Sequence, residues 1–181
     1  MRKKAMLAAV SVLVMQLAAA AEVLDAAANG FTVKQTLTIK AAPDDVYRRL
    51  VKVGDWWDPA HTYSHDTHNL SIEAKPQGCF CEKWPGGGVR HMEVVFAETG
   101  KRLVMLGALG PGISLAMTGS LSIELTAAEG GTKLELTYAV VGYLVKGVNT
   151  WGPIYDRVLG EQFTRLKNYI ETGDPAPKAS K

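Results

Sequence analysis

Residues 31–47 read FTVKQTLTIKAAPDDVY, and the change of rhythm inside this stretch decides the fold. From Phe31 to Lys40 apolar and polar residues alternate, with Phe31, Val33, Leu37 and Ile39 on one face and Thr and Lys on the other. A period of two is the signature of a half-buried strand. At Ala42-Pro43-Asp44-Asp45 the alternation stops. Proline suits the first helical position, where its missing N–H costs nothing, and acids suit the first turn, at the positive end of the helix dipole. Val46, Tyr47, Leu50 and Val51 then supply the apolar stripe of a short helix, which Gly54 is expected to stop. Asp55-Trp56-Trp57-Asp58-Pro59 reads as one more short helical turn.

Downstream of Asn69 the chain reads as strands and turns. Leu70–Lys75 is a strand ended by Pro76-Gln77-Gly78, and Cys79–Trp84 and Val89–Phe96 form a hairpin across the loop Pro85-Gly86-Gly87-Gly88. Arg102–Leu109 follows a turn at Thr99-Gly100-Lys101. Leu115–Leu125 alternates, with Leu115, Met117, Leu121, Ile123 and Leu125 facing one way. Gly130-Gly131 leads into Lys133–Tyr143, with Leu134, Leu136, Tyr138 and Val140 on one face. The spacing changes again at Trp151. From there to Glu171 the apolar residues Trp151, Tyr155, Val158, Leu159, Phe163, Leu166, Tyr169 and Ile170 fall in steps of threes and fours, the period of a long amphipathic helix. The expected class is α+β. A strand and two short helices precede about six antiparallel strands, whose wide apolar face is covered by one long C-terminal helix.

The two ends read differently from the middle. Arg2, Lys3 and Lys4, an apolar run from Ala5 to Leu17 and then Ala18–Ala21 have the form of a cleaved signal peptide over residues 1–21. The run is short for a membrane span, so a periplasmic or secreted protein is expected, with no stable membrane insertion after cleavage. The whole chain carries 20 Lys+Arg against 18 Asp+Glu; without the leader's three cations 17 face 18, a net charge of −1. Nothing there suggests a nucleic-acid partner. Residues 30–172 read as one domain, and the Pro-rich, polar stretch 173–181 as a disordered tail.

At this point the chain resembles the helix-grip proteins of the START, pollen-allergen and polyketide-cyclase superfamily, the SRPBCC proteins. The stretch IKAAPDDVY at 39–47 is similar to that superfamily's opening strand and first helix. GCFCE at 78–82, GGGVRHM at 86–92 and GALGP at 107–111 resemble phrases of an exported bacterial branch with no settled activity. The likeness spans roughly residues 30–172. It implies a curved antiparallel sheet gripping the C-terminal helix, with an apolar cavity between them in which members hold lipids, sterols, polyketides or hormones. A minority of members do chemistry on the ligand. The superfamily has no universal catalytic residue, so none is carried over.

Within that frame Trp84, Met105, Met117, Tyr138, Tyr155 and Leu159 are the residues expected to face a ligand, with His61 and Tyr63 at the cavity mouth. Methionine adapts to irregular apolar partners, although the same residues also suit an ordinary core. The loop Gly107–Gly112 reads either as a gate at the mouth or as a bent connection. Residues 61–70, HTYSHDTHNL, hold three of the four histidines. His61, His65 and His68 would share a face on a helix, but Thr62, Ser64, Thr67 and Pro59 make the stretch a loop, and no metal is expected there. Cys79 and Cys81 form a C-x-C. On a regular strand they stand about 6–7 Å apart, at the limit for a bridge, which favours two packed free thiols over a disulfide.

Glu82 and His91 are the candidate acid–base pair. Counted across a four-residue loop, Glu82 faces His91 and Lys83 faces Arg90. The two unpaired cations favour an outward Lys83 face and hence an inward pair. A bulge would reverse the assignment, so both orientations stay open. Three functions follow: a cofactor-free exported carrier or sensor of a small apolar or amphipathic molecule; a cyclase-, dehydratase- or isomerase-type enzyme using the same cavity with Glu82 and His91; or an interaction module with a vestigial cavity. A strongly shifted acid–base pair in the cavity would favour the enzyme, an apolar cavity the carrier, and a cavity too small for a ligand the third. The sequence names neither the ligand nor the oligomeric state.

Overall fold

A computed structural model describes residues 20–176. The leader expected over residues 1–21 lies, apart from Ala20 and Ala21, outside the described residues, as does the tail beyond Ala176. The elements run β1 (Ala20–Ala27), β2 (Gly30–Ile39), α1 (Pro43–Leu50), β3 (Leu70–Ile72), β4 (Cys79–Trp84), β5 (Gly87–Glu98), β6 (Arg102–Gly107), β7 (Met117–Ala128), β8 (Gly131–Gly142) and α2 (Gly152–Thr172). Short 3₁₀ turns lie at Val53–Asp55, Pro59–His61, Thr67–Asn69, Gly110–Ser114 and Val148–Trp151. The strands form one antiparallel sheet in the order β1-β2-β8-β7-β6-β5-β4-β3. The architecture is the expected α+β helix-grip arrangement, a curved sheet closed over a long C-terminal helix.

Alternation does the sorting. On β2 the residues Phe31, Val33, Leu37 and Ile39 are buried; on β7 and β8 so are Leu121, Ile123, Leu125, Leu134, Leu136, Tyr138 and Val140. They meet Tyr155, Leu159, Phe163 and Leu166 of α2 in one continuous core, which Val46, Tyr47 and Leu50 of α1 extend. Gln35 is the exception on β2. It is buried on the apolar face, and its side-chain amide donates to the backbone and carboxylate oxygens of Asp156 on α2, at 3.0 and 2.7 Å. A polar pair placed so fixes the helix's position along the strand, because a one-residue slip would leave buried donors and acceptors unpaired.

Several expectations need correction. β1 was not anticipated, and it adds an edge strand before residue 30. α1 ends at Leu50 with Val51 as its cap, so Gly54 does not stop it; a side chain at Gly54 would meet the Thr67 carbonyl at 2.7 Å. The β4–β5 loop is not four residues long. Pro85 and Gly86 alone make the turn, with Gly86 at φ 83°, and Trp84 pairs with Gly87. Proline followed by a positive-φ glycine is the demand of a type II turn. The ladder then runs Glu82 against Val89 and Cys81 against Arg90, skips His91, and resumes with Phe80 against Met92. His91 is thus the extra residue of a bulge. That shift lets both His91 and Met92 point inward, where regular alternation would have separated them.

The cysteines need the same correction. Cys79 and Cys81 are disulfide-bonded, with Cα atoms 5.3 Å apart. The regular strand spacing that argued for free thiols does not hold here: beside the register shift between Phe80 and Cys81, β4 is contracted at the bridge. The shortened Cα separation lies within the normal range for a bridge.

Candidate functional site

The space beneath the sheet is mostly filled. Between α2, Phe80, Met105, Leu121 and Ile123 only about 10 Å3 stays open, room for about one water molecule and for no larger ligand. The roomy site lies at one end of the grip, where a cleft of about 410 Å3 opens between three walls. One is the start of α2 with the preceding Trp151; another is the segment Trp57–Tyr63; the third is Leu109-Gly110-Pro111.

Each wall is held by specific bonds. The Trp57 indole N–H donates to the His61 carbonyl (3.1 Å), closing the turn that Asp58 caps through the Ala60 N–H (2.9 Å). The turn is docked on α2 from the other side. The Asp58 N–H donates to Gln162 Oε1 (2.8 Å) and Arg165 Nε donates to the Trp56 carbonyl (3.0 Å). The third wall hangs on two buried phenols. Tyr155 Oη donates to the Leu109 carbonyl (2.6 Å), while Tyr138 Oη accepts from the Leu109 N–H (3.3 Å). Burial pushes the Tyr155 hydroxyl up to about 12 and Tyr138 higher still, so both stay protonated. Tyr63 spans the gap between walls, its hydroxyl donating to the Gly110 carbonyl (2.8 Å).

Behind Tyr63 lies the Glu82–His91 pair. Both side chains are inward, 0 % and 6 % exposed, with Nε2 and Oε2 3.4 Å apart. The contact is not aligned as a hydrogen bond, and neither ring nitrogen of His91 has a hydrogen-bond partner among the described residues. Glu82 is otherwise fully engaged: Oε2 accepts the Tyr63 N–H (3.0 Å) and Oε1 the Ser64 N–H. Burial raises the Glu82 pKa, but the donors from Ser64 and Tyr63 outweigh it and hold the carboxyl below its ordinary value. Burial lowers His91, with Glu82 opposing only in part. At neutral pH the pair is therefore a carboxylate beside a neutral imidazole. Phe80 and Tyr63 pack on the ring at centroid distances of 5.1 and 6.0 Å. The arrangement ties the loop that carries Tyr63 to β4.

Of the residues singled out in the sequence, His61, Tyr63, Tyr155 and Leu159 line the cleft. Met105 borders the filled interior, Met117 and Tyr138 are core, and Trp84 lies half-buried at the β4–β5 turn against Gly87, outside the cleft. Met105, Met117 and Tyr138 were expected to face a ligand because they alternate inward, but inward here means packed, and Trp84 sits too far out along the hairpin to reach the cleft. His61, His65 and His68 do not converge. His65 is exposed at φ 57°, and His68 turns to Asp66, Nδ1 to Oδ1 2.7 Å. No group of three or more His, Cys, Asp or Glu among the described residues is arranged to hold a metal ion. Arg157 and Ile154 were missed. Both sit on exposed positions of α2, which carry no periodic signal.

Comparison with solved structures settles the architecture. A conserved protein of unknown function from Enterococcus faecalis superposes with a TM-score of 0.58 at 16% identity, over 90% of this chain and 82% of that one. The Aha1 dimer from Colwellia psychrerythraea gives 0.55 at 16%, over 78% and 97%. The fold is the helix-grip fold. DynU16, encoded in the dynemicin biosynthetic locus, matches with 0.54 at 18% identity over 80% of this chain and 48% of its own. No family model matches the chain, and no curated protein matches it in sequence. At these identities the likeness concerns fold and not function.

Proposed function

We propose that the chain is an exported carrier or sensor that holds one small apolar or amphipathic molecule in the end cleft. The observation that carries this reading is the cleft itself. At about 410 Å3 it falls in the usual size range of small-molecule sites, and it has the usual construction, aromatic and aliphatic walls with a few polar groups. Trp57, Trp151, Tyr155 and Leu159 supply apolar surface from two walls, Leu109 and Pro111 from the third. The Cys79–Cys81 disulfide fits the oxidising compartment to which the leader-like residues 1–21 point.

No observation favours the cyclase or dehydratase reading. Both Glu82 oxygens are committed to backbone N–H groups, and Tyr63, not His91, lines the cleft. The test is titration with the neutral fluorophore N-phenylnaphthylamine, followed through its emission. Val158 lines the cleft half-buried, so Val158→Trp fills it. The variant should keep its far-UV circular dichroism and lose at least tenfold in affinity; unaltered binding would contradict the reading.

A further inference from the structure

The polar groups of the cleft are one-sided. Its lining contains no Asp and no Glu. The hydroxyl of Tyr155 donates to Leu109, that of Tyr63 to Gly110 and that of Thr62 to the Pro59 carbonyl (2.8 Å), so all three are engaged. The carbonyls of Leu109 and Gly110 are engaged by the same bonds. Beside the Trp151 indole N–H, what is left is a pair of donors at the rim, His61 and Arg157. Arg157 makes one side-chain hydrogen bond among the described residues, from Nη1 to Glu161 Oε1 (3.0 Å). A guanidinium has five N–H groups in a planar fork, so most of its capacity is free. His61 Nε2 stands 3.8 Å from the other oxygen of the same Glu161 carboxylate, too far for a hydrogen bond. The Glu161 carboxylate therefore sits between these two side chains on the helix surface, and shows that together they can flank such a group.

We infer that the ligand is an amphiphile with a carboxylate head, its apolar body against Trp57, Trp151, Tyr155 and Leu159 and its carboxylate on Arg157 and His61. This deepens the proposed function and rests on it. A fork of N–H donors matches a carboxylate in two parallel hydrogen bonds, and such charge-assisted bonds are roughly twice as strong as neutral ones. An alcohol or an ester of the same chain length satisfies the apolar walls equally but leaves the fork to water. Glu161 competes for the fork from outside the cleft, so its removal should strengthen the preference.

The experiment compares dodecanoate with dodecanol and methyl dodecanoate by tryptophan fluorescence and calorimetry, using the whole folded protein below micellar concentrations. The readout is the acid-to-alcohol affinity ratio within each variant, which a general loss of packing would not move. The wild type should prefer the acid by at least tenfold. Arg157→Gln should bring the ratio towards one, His61→Gln should lower it partway, and Glu161→Gln should raise it. Equal affinities in the wild type, or a ratio that survives the double variant Arg157→Gln/His61→Gln, would overturn the carboxylate inference and leave the carrier reading standing. Binding of none of the three would overturn both.

Discussion

Replacing Glu82 by glutamine isolates what the buried carboxylate does. The change keeps size and shape and removes one charge. In the native protein the two carboxylate oxygens, fully buried, accept the N–H groups of Tyr63 and Ser64, and His91 stands 3.4 Å away. A glutamine amide has one acceptor oxygen and one NH2, so one of the two backbone donors must face another donor. The loss is one charge-assisted bond, about 1.5–3 kcal/mol, plus the cost of an unpaired buried donor, about 1–3 kcal/mol. Partial rotation of the loop recovers some of this, so we expect about 3 kcal/mol. For a domain of this size that lowers Tm by roughly 6–12 °C. Urea unfolding followed by tryptophan fluorescence gives the free energy. Hydrogen exchange at the Tyr63 and Ser64 amides should accelerate more than exchange in β2 and β8, because the bond pins the loop and not the sheet. A stability change within about half a kcal/mol, or unaltered exchange at those two amides, would refute the assignment of Glu82 as the loop's anchor.

Acid should remove stability in two windows. His91 is held below its ordinary value of 6.5, so the unfolded chain takes up that proton first. The stability it gives is full above 6.5 and falls as pH drops below it. Glu82 is held below 4.5, so its share is present above 4.5 and is lost as pH falls through its lower folded value. His91→Gln should flatten the upper window alone; a wild-type stability that is level between about pH 7 and pH 5 would contradict this. Leu166→Asp, at a fully buried position of α2, should cost at least about 3 kcal/mol by urea unfolding; a change below about 1 kcal/mol would mean the helix does not sit on the sheet as described. Reducing the disulfide should cost only about 1–2 kcal/mol in thermal unfolding, because the bridged residues are two apart and the loop it closes is very short. A loss much above that would show that the bridge organises more than its own bulge.

The elements with a strong period were legible in the sequence. β2, β7, β8 and α2 alternate or step cleanly because one side of each is buried throughout. β1 was not legible: as an edge strand it carries Val23 as its half-buried apolar residue, and an exposed strand needs no alternation. Ala28 and Asn29 make the turn into β2, with Ala27 paired to Gly30. The pairing of Glu82 with His91 was anticipated through a register that is wrong by two residues. The shorter turn shifts the ladder one way, and the bulge at His91 restores the side-chain contact. Turn length and bulges depend on backbone details that hydrophobic pattern does not encode. Alternation placed Met105, Met117 and Tyr138 on the inner face, but whether an inner face is packed or hollow depends on how far the covering helix stands off. Arg157 sits on the solvent side of α2, where no period distinguishes a site residue from a surface one.

The central claim is that the end cleft holds a ligand. It is met most directly by native mass spectrometry of the wild type and of Val158→Trp, each isolated without detergent from the cells that make it. The account predicts a wild-type population carrying one added mass, extractable into organic solvent and absent from the variant. Bare protein in both samples, or the same adduct on both, would contradict it.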